Sequence, residues 1–337
     1  MSALRRGGAP GTSARADVPA SSANLGPGYD AVGLALELRD ELEVEVLPAD
    51  HPAAAAAPTG APGAVVAVEG QGAGRVGEGE GHLVVRALRA ALARAGAPQP
   101  VLGLRCRNGV PFGRGAGSSA AAVVGGVVLA RGLLEDPSAL DDEVALDVAA
   151  TMEGHADNAA ASLLGGVTLG WVEGAADDGD DGAGMPLPGR RAGLRFRAVR
   201  VDPHPDLRVV LAVPGVELLT ATARAMLPAV VPHADAAFVA GRSALLPQAL
   251  SRVPELLLPA TADRLHQRYR APAAPATAAL VADLRGRGLA AAVSGAGPSV
   301  VVLGTSAALR DEVAAHAPGW DVLAPDVAHE GARWSAG

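Results

Sequence analysis

A two-domain α+β protein is predicted on three observations. Strand-like and helix-like segments intermix without an internal repeat; an acidic stretch with no hydrophobic period divides the chain; and 337 residues, 49% of them hydrophobic, are enough to bury a core on each side of it. Residues 1–14 read as a disordered tail. The row LEVEV at 42–46 alternates apolar and acidic residues, which is the pattern of a half-buried strand. Residues 48–63 form a low-complexity loop rich in Ala and Pro, and VVAVEG at 65–70 reads as a further strand. Residues 83–94 carry Leu, Val and Ala on one helical face. Residues 101–111 read as a strand ending in a loop, and a glycine-rich turn then opens an apolar helix that runs through Leu134. Residues 140–154 have acidic side chains in the first turn and a glycine near the end, both proper helix punctuation. The acidic run EGAADDGDDG at 173–182 reads as a solvated loop. Beyond it come a buried strand at 207–215, helices at 220–227, 232–251 and 274–286, and two strands around a tight turn at 290–304. The domain limits expected from this pattern are 15–175 and 191–330, with 176–190 as an acidic linker.

Composition removes several kinds of chemistry. All 28 basic residues are arginine, so a Schiff-base lysine, the lysine of a Walker loop and the strand lysine of a protein kinase are excluded. Phosphate chemistry would have to rest on arginine, backbone amides and metal. A net charge of −8 argues against a nucleic-acid partner, which calls for a basic face. The uncharged run of 16 residues at 115–130 is too short and too rich in Gly and Ser to cross a membrane, so no membrane partner is expected. A single cysteine, Cys106, cannot form an internal disulfide, and the N-terminus lacks an apolar signal core. Both fit a soluble protein of the reducing cytoplasm.

Four segments carry candidate chemistry. PASSANLGPGYD at 19–30 sets Asn24 and Asp30 six residues apart around a turn, a donor–acceptor and a pure acceptor that suit an ammonium or hydroxyl group. The blander reading is a turn whose Asn and Asp satisfy their own backbone. PFGRGAGSSAA at 111–121 places Gly113, Gly115 and Gly117 before Ser118 and Ser119 at the start of an uncharged helix. There consecutive N–H groups and the helix dipole can hold an anion. EGHADN at 153–158 gathers Glu153, His155, Asp157 and Asn158; a carboxylate beside a phosphate loop is a natural magnesium ligand. Its spacing is not a zinc motif. Finally, Thr220 and Arg224 share a helix face at i and i+4, Arg270 follows in HQRYR, and Gly295 opens the tight turn SGAGPSV. Two arginines brought together match a carboxylate by forked hydrogen bonds, although in a chain with 28 arginines each could equally be a surface charge.

Taken in order, PASSANLGPGYD, PxxxGxGSSAA, EGHxDN, TxxAR and SGAGPSV resemble the homoserine kinases of the GHMP small-molecule kinase superfamily, over residues 18–303. The resemblance implies an N-terminal α+β ATP-binding domain with a left-handed crossover, a ferredoxin-like C-terminal domain, and a site in the cleft between them. It implies phosphorylation of the L-homoserine side-chain hydroxyl by ATP with Mg²⁺, on the route to threonine. Pro111, Phe112, Gly113, Arg114, Gly115, Ala116, Gly117, Ser118, Ser119, Ala120 and Ala121 would then wrap the ATP phosphates. Ser119, or Ser118 beside it, and Glu153 would hold magnesium. Asn24 and Asp30 would face the amino end of homoserine and Arg224 and Arg270 its carboxylate, with Thr220, His155 and Gly295 lining the same pocket. Asn158 would lie near the reacting hydroxyl, and no general base is named. Departures from the family pattern include Ala116 for a common Leu and His82 and Val85 for a common Asn and Tyr. Two rivals stay open: a GHMP kinase for another small hydroxylated substrate, and an inactive relative that only binds an amino acid or nucleotide. A homodimer is compatible with the sequence.

Overall fold

The computed structural model describes residues 2–56, 60–174 and 194–337. The chain begins with β1 (Ser13–Asn24) and β2 (Gly28–Val46), a long antiparallel pair, then α1 (Pro52–Ala56), β3 (Ala64–Gly70), α2 (Leu83–Arg94) and β4 (Leu102–Asn108). Three helices follow, α3 (Ser118–Leu133), α4 (Asp142–Glu153) and α5 (Asp157–Leu164), and then strands β5 (Val167–Glu173) and β6 (Arg195–Val201). The second half runs β7 (Arg208–Val213), α6 (Thr220–Ala225), α7 (His233–Ser251), α8 (Leu257–Ala260), α9 (Gln267–Arg270), α10 (Pro275–Gly286), β8 (Ala290–Val293), β9 (Val300–Gly304), α11 (Leu309–His316), β10 (Asp321–Leu323) and β11 (Arg333–Ala336).

Two sheets organise these elements. The first has the order β11-β1-β2-β4-β3, with β5 on the other half of β2 and β6 on β5. Its LEVEV alternation behaves as the period requires: Leu42, Val44 and Val46 enter the core beneath α2, α3 and α4, while Glu43 and Glu45 face outward. The outward face is a charged cross-strand lattice in which Arg15 opposes Glu43 and Arg107 opposes Glu41. The second sheet, β10-β7-β9-β8, is antiparallel, and the chain order strand–helix–strand–strand–helix–strand gives it the split βαβ arrangement of ferredoxin-like domains. An apolar core shared by Leu25, Leu34 and Leu36 of the first unit and Val209, Leu211, Leu246 and Val301 of the second joins the two.

Three expectations need correction. Residues 2–14 are not a free tail: Leu4 is 3% exposed and bridges to Leu134, and Glu135 N–H donates to the Ala3 carbonyl. Backbone hydrogen bonds add to the Leu4 contact, with Gly11 N–H donating to the Val46 carbonyl and Val46 N–H to that of Thr12. The division at 191 is also displaced, because β6 pairs with β5 and so belongs to the first sheet. The C-terminus returns likewise, β11 closing the first sheet against β1. Strand partnership decides both points, and strand partnership is a long-range property. The 48–63 loop contains the short helix α1. Residues 175–193, which hold the 176–190 linker and most of the acidic run, lie outside the described residues.

Asp40 makes a testable contribution to stability. Its buried carboxylate accepts the N–H groups of Gly109 and Val110 at 2.9 and 3.0 Å, yet burial raises its pKa to about 6. A carboxyl raised on folding favours the fold while protonated, and this favour is lost as pH climbs from about 4 through about 6. Asp40→Asn keeps the accepting oxygen and removes the charge. It should raise stability by on the order of 2 kcal/mol at neutral pH, with little effect near pH 4. Thermal unfolding at the two pH values checks this; an equal shift at both would refute it.

Candidate active site

The cleft between the two units holds a cavity of ≈ 250 Å³. Its walls are Asn24 and Asp30 from the β1–β2 turn, the loop before α3, the end of α4 with the start of α5, Thr220 and Arg224 of α6, Arg270 of α9 and Gly295 of the β8–β9 turn. Every residue expected to touch homoserine or the metal therefore lines one cavity, although they lie up to 271 positions apart in the chain.

The glycine loop is shaped by its backbone. Gly113, Gly115 and Gly117 all have left-handed φ, +67°, +78° and +72°, alternating with ordinary residues. A side chain on Gly115 would stand 2.5 Å from the Ser294 carbonyl oxygen, and one on Gly117 2.2 Å from Ser21 Oγ, so only glycine allows this packing. Ser294 and Ser299 donate to the carbonyls of Gly115 and Arg114, both at 2.5 Å, tying the loop to the second unit. Gly117 caps α3, whose first N–H groups face the loop. Of the eleven loop residues, Gly113, Arg114, Gly115, Gly117, Ser118, Ser119 and Ala120 line the cavity. Pro111, Ala116 and Ala121 are buried supports, and Phe112 carries the Arg75 guanidinium on its ring. His82 and Val85 are buried and stand outside the cavity lining.

Next to the loop, Ser119 Oγ donates to Glu153 Oε1 at 2.7 Å. Burial raises the Glu153 pKa, against the Ser119 hydrogen bond and the charges of His155 and Arg224. Gly154, left-handed at φ +83°, ends α4 and turns the chain so that Glu153, His155 and Asn158 reach the same cavity. His155 Nδ1 lies 2.5 Å from Asp157 Oδ1. Burial opposes its charged form, but the Asp157 carboxylate more than offsets this and raises the His155 pKa to about 9. At neutral pH His155 is thus an imidazolium donating to Asp157, with no lone pair left to take a proton. Asn158 Oδ1 accepts from Ser21 Oγ at 3.0 Å, which fixes the direction of its amide.

The other end of the cavity gathers the charged side chains of Asp30, Arg224 and Arg270. Arg224 forks onto Asp30, Nη1 to Oδ2 at 3.0 Å and Nη2 to Oδ1 at 2.7 Å, with Tyr29 Oη accepting from Nη1 at 3.1 Å. Asn24 is more occupied than a free ligand: its Nδ2 donates to the Gly295 carbonyl and its Oδ1 accepts the Asp30 N–H, both at 2.8 Å. The turn pays for this with left-handed φ at Asn24, Leu25 and Asp30, a cluster of strained non-glycine residues of the kind that marks functional sites. Arg270 is 4% exposed, and among the described residues it has no carboxylate within ion-pair distance; its Nη1 donates to His266 Nδ1 and the Gly295 carbonyl. A buried guanidinium with only neutral partners is a standing demand for an anion. Sequence reasoning gave no role to Tyr29 and His266, and named Asp157 only in company with Glu153, His155 and Asn158. Tyr29 and Asp157 adjoin Asp30 and Asn158, whereas only the fold brings His266 against Arg270.

One group of possible metal ligands, Asp30, His155 and Asp157, has donor atoms within 4.8 Å of one another. These donors are already engaged with Arg224 and with each other, so the set does not suit a cation. Ser119 and Glu153 offer a better pair: two oxygens side by side at the glycine loop, one of them a carboxylate.

Comparison with known proteins agrees with this geometry. The family descriptions "GHMP kinases N terminal domain" and "GHMP kinases C terminal" match residues 82–166 and 243–319. Homoserine kinase of Streptomyces coelicolor is 47% identical over 86% of this chain and 84% of its own length. That of Mycolicibacterium paratuberculosis is 44% identical over 97% and 96%. The crystal structure of homoserine kinase from Cytophaga hutchinsonii, 22% identical, shares the fold with a TM-score of 0.73 over 96% of this chain and 97% of its own. No described helix is long and apolar enough to cross a membrane. A left-handed glycine loop facing the Asp30–Arg224 pair across one cavity, on this two-unit fold and with relatives of such identity, places the chain in the homoserine kinase family of the GHMP kinases.

Proposed function

We propose that the chain transfers the γ-phosphoryl group of ATP to the side-chain hydroxyl of L-homoserine, giving O-phospho-L-homoserine for threonine synthesis. The observation that carries this reading is the Asp30–Arg224 pair beside the uncompensated Arg270. An α-amino acid bears an ammonium and a carboxylate on one carbon, so its receptor must present an acid and a base side by side. Asp30 takes the ammonium, while Arg270 and the outer edge of Arg224 take the carboxylate. Asn24 holds the Asp30 backbone in place. The two charges of the substrate zwitterion thereby complement the Asp30–Arg224 pair.

At the opposite end the N–H groups of residues 113–120 receive the ATP phosphates, using partial positive charge in place of a lysine. Ser119 and Glu153 are the residues that would hold Mg²⁺, which when bound neutralises charge on the phosphates. Asn158, its amide fixed by Ser21, orients the acceptor hydroxyl. No side chain is needed to remove the proton before transfer. A dissociative phosphoryl transfer asks chiefly for positioning and charge neutralisation, and the imidazolium of His155 cannot serve as a base at neutral pH. A cytoplasmic setting suits a chain whose one thiol, Cys106, is buried and free.

A coupled assay of ADP release with L-homoserine, L-serine and mevalonate tests the reading. Turnover should be clearly fastest with homoserine. Equal turnover with mevalonate, which has no ammonium group, would overturn the receptor assignment. ATP binding without turnover on any of the three would mark an inactive relative.

A further inference from the structure

His266 precedes α9 and is wholly buried, outside the set of groups that contact the proposed substrates. One ring nitrogen, Nε2, lies 2.8 Å from the carbonyl oxygen of Gly26, and the other, Nδ1, lies 3.1 Å from Arg270 Nη1. Its ring packs 5.2 Å from that of Tyr29. A carbonyl can only accept and a guanidinium can only donate, so one protonation state alone satisfies both contacts. Nε2 must carry the proton and Nδ1 the lone pair.

We propose that His266, as this neutral tautomer, is a positioning residue that fixes Arg270 against the Gly26–Asp30 turn and so sets the spacing between the carboxylate and ammonium receptors. The inference rests on the homoserine reading given above. Gly26 is itself closely packed, because at φ +92° a side chain there would meet the Thr261 carbonyl oxygen at 2.2 Å. His266 therefore ties a close-packed turn of the first unit to an arginine of the second. The groups facing it are Arg270 from α9, Tyr29 and Asp30 from β2, and Asp263, whose Oδ2 is 3.7 Å from Nε2 and accepts the N–H groups of His266 and Gln267. Burial, helped by the Arg270 charge, lowers the His266 pKa below its ordinary 6.5 against the pull of Asp263, which keeps the ring neutral at physiological pH. A proton gained at Nδ1 would delete the bond to Arg270 and set two cations 3.1 Å apart. Arg270 would leave its place, and the KM for homoserine would rise as pH falls through the His266 pKa.

The test is the KM for homoserine and for ATP, measured across acid and neutral pH, in wild type, His266→Phe and His266→Asn. Phe keeps the ring volume but has no nitrogen. Asn keeps an acceptor near the Nδ1 position and cannot take a proton. The Phe variant should raise the homoserine KM by about tenfold or more while leaving the ATP KM near wild type. The Asn variant should recover most of that loss and should not share the wild-type rise in KM at acid pH. An unchanged homoserine KM in the Phe variant, or the acid rise persisting in the Asn variant, overturns the proposal. If the Phe variant does not fold, the pH profile of the Asn variant decides alone. Failure of the underlying reading looks different: wild type itself would not turn over homoserine.

Discussion

Glu153→Gln should lower turnover by about a hundredfold or more, the scale seen when one fixed electrostatic group is taken from a transition state. The substitution preserves volume and an oxygen able to accept from Ser119, so the loss isolates the charge. The apparent Mg²⁺ requirement should rise with it, because a neutral amide is a weaker ligand for a hard cation than a carboxylate. Stability should not fall. The Glu153 pKa is raised on folding, so its ionised form opposes the fold above that pKa, and the amide removes this cost at neutral pH. A magnesium titration superimposable on that of wild type would sink the metal role. A large drop in melting temperature would trace the lost turnover to structure instead.

Arg224→Ala should raise the KM for homoserine by on the order of a hundredfold while leaving the KM for ATP close to wild type. Two effects combine. The fork for the substrate carboxylate is lost, and Asp30 is left buried without its partner, a situation that costs about 3–5 kcal/mol in well-buried pairs. The Arg224 side chain keeps 26% exposure, which places the expected cost at the lower end of that range. The melting temperature should drop accordingly. Adding Asp30→Asn should restore the melting temperature without restoring the KM, which separates the stranded charge from the lost substrate contact. Arg224→Lys should fall between, since an ammonium cannot fork. An unchanged homoserine KM in Arg224→Ala would show that Arg224 serves the fold alone, and Arg270 would then be the carboxylate receptor by itself.

The Arg224 geometry shows where reading by sequence reached its limit. The i, i+4 spacing with Thr220 put both residues on one face of a helix, and both do line the cavity. It could not reveal that Arg224 is already forked onto Asp30, 194 residues away. Arg270 is the reverse case: its composition-based reading as one surface arginine among 28 gives way to a buried cation with neutral partners. Residues 2–14 and β6 were misplaced for a related reason. A segment without strong periodicity of its own is placed by what it pairs with, and Leu4 with Leu134, or β6 with β5, are partnerships that local pattern does not encode.

What the sequence determined by itself is the chemistry available. The absence of lysine left backbone amides, arginine and metal for phosphate, and the glycines at 113, 115 and 117 specified a loop that only such residues can form. Motif order then identified the family. The tertiary structure decided which groups are free to act. It joined Arg224 to Asp30, protonated His155 against Asp157, left Arg270 without a counter-charge and fixed His266 in one tautomer. Availability follows from hydrogen-bond partners and desolvation, and both depend on neighbours that only the folded chain brings together.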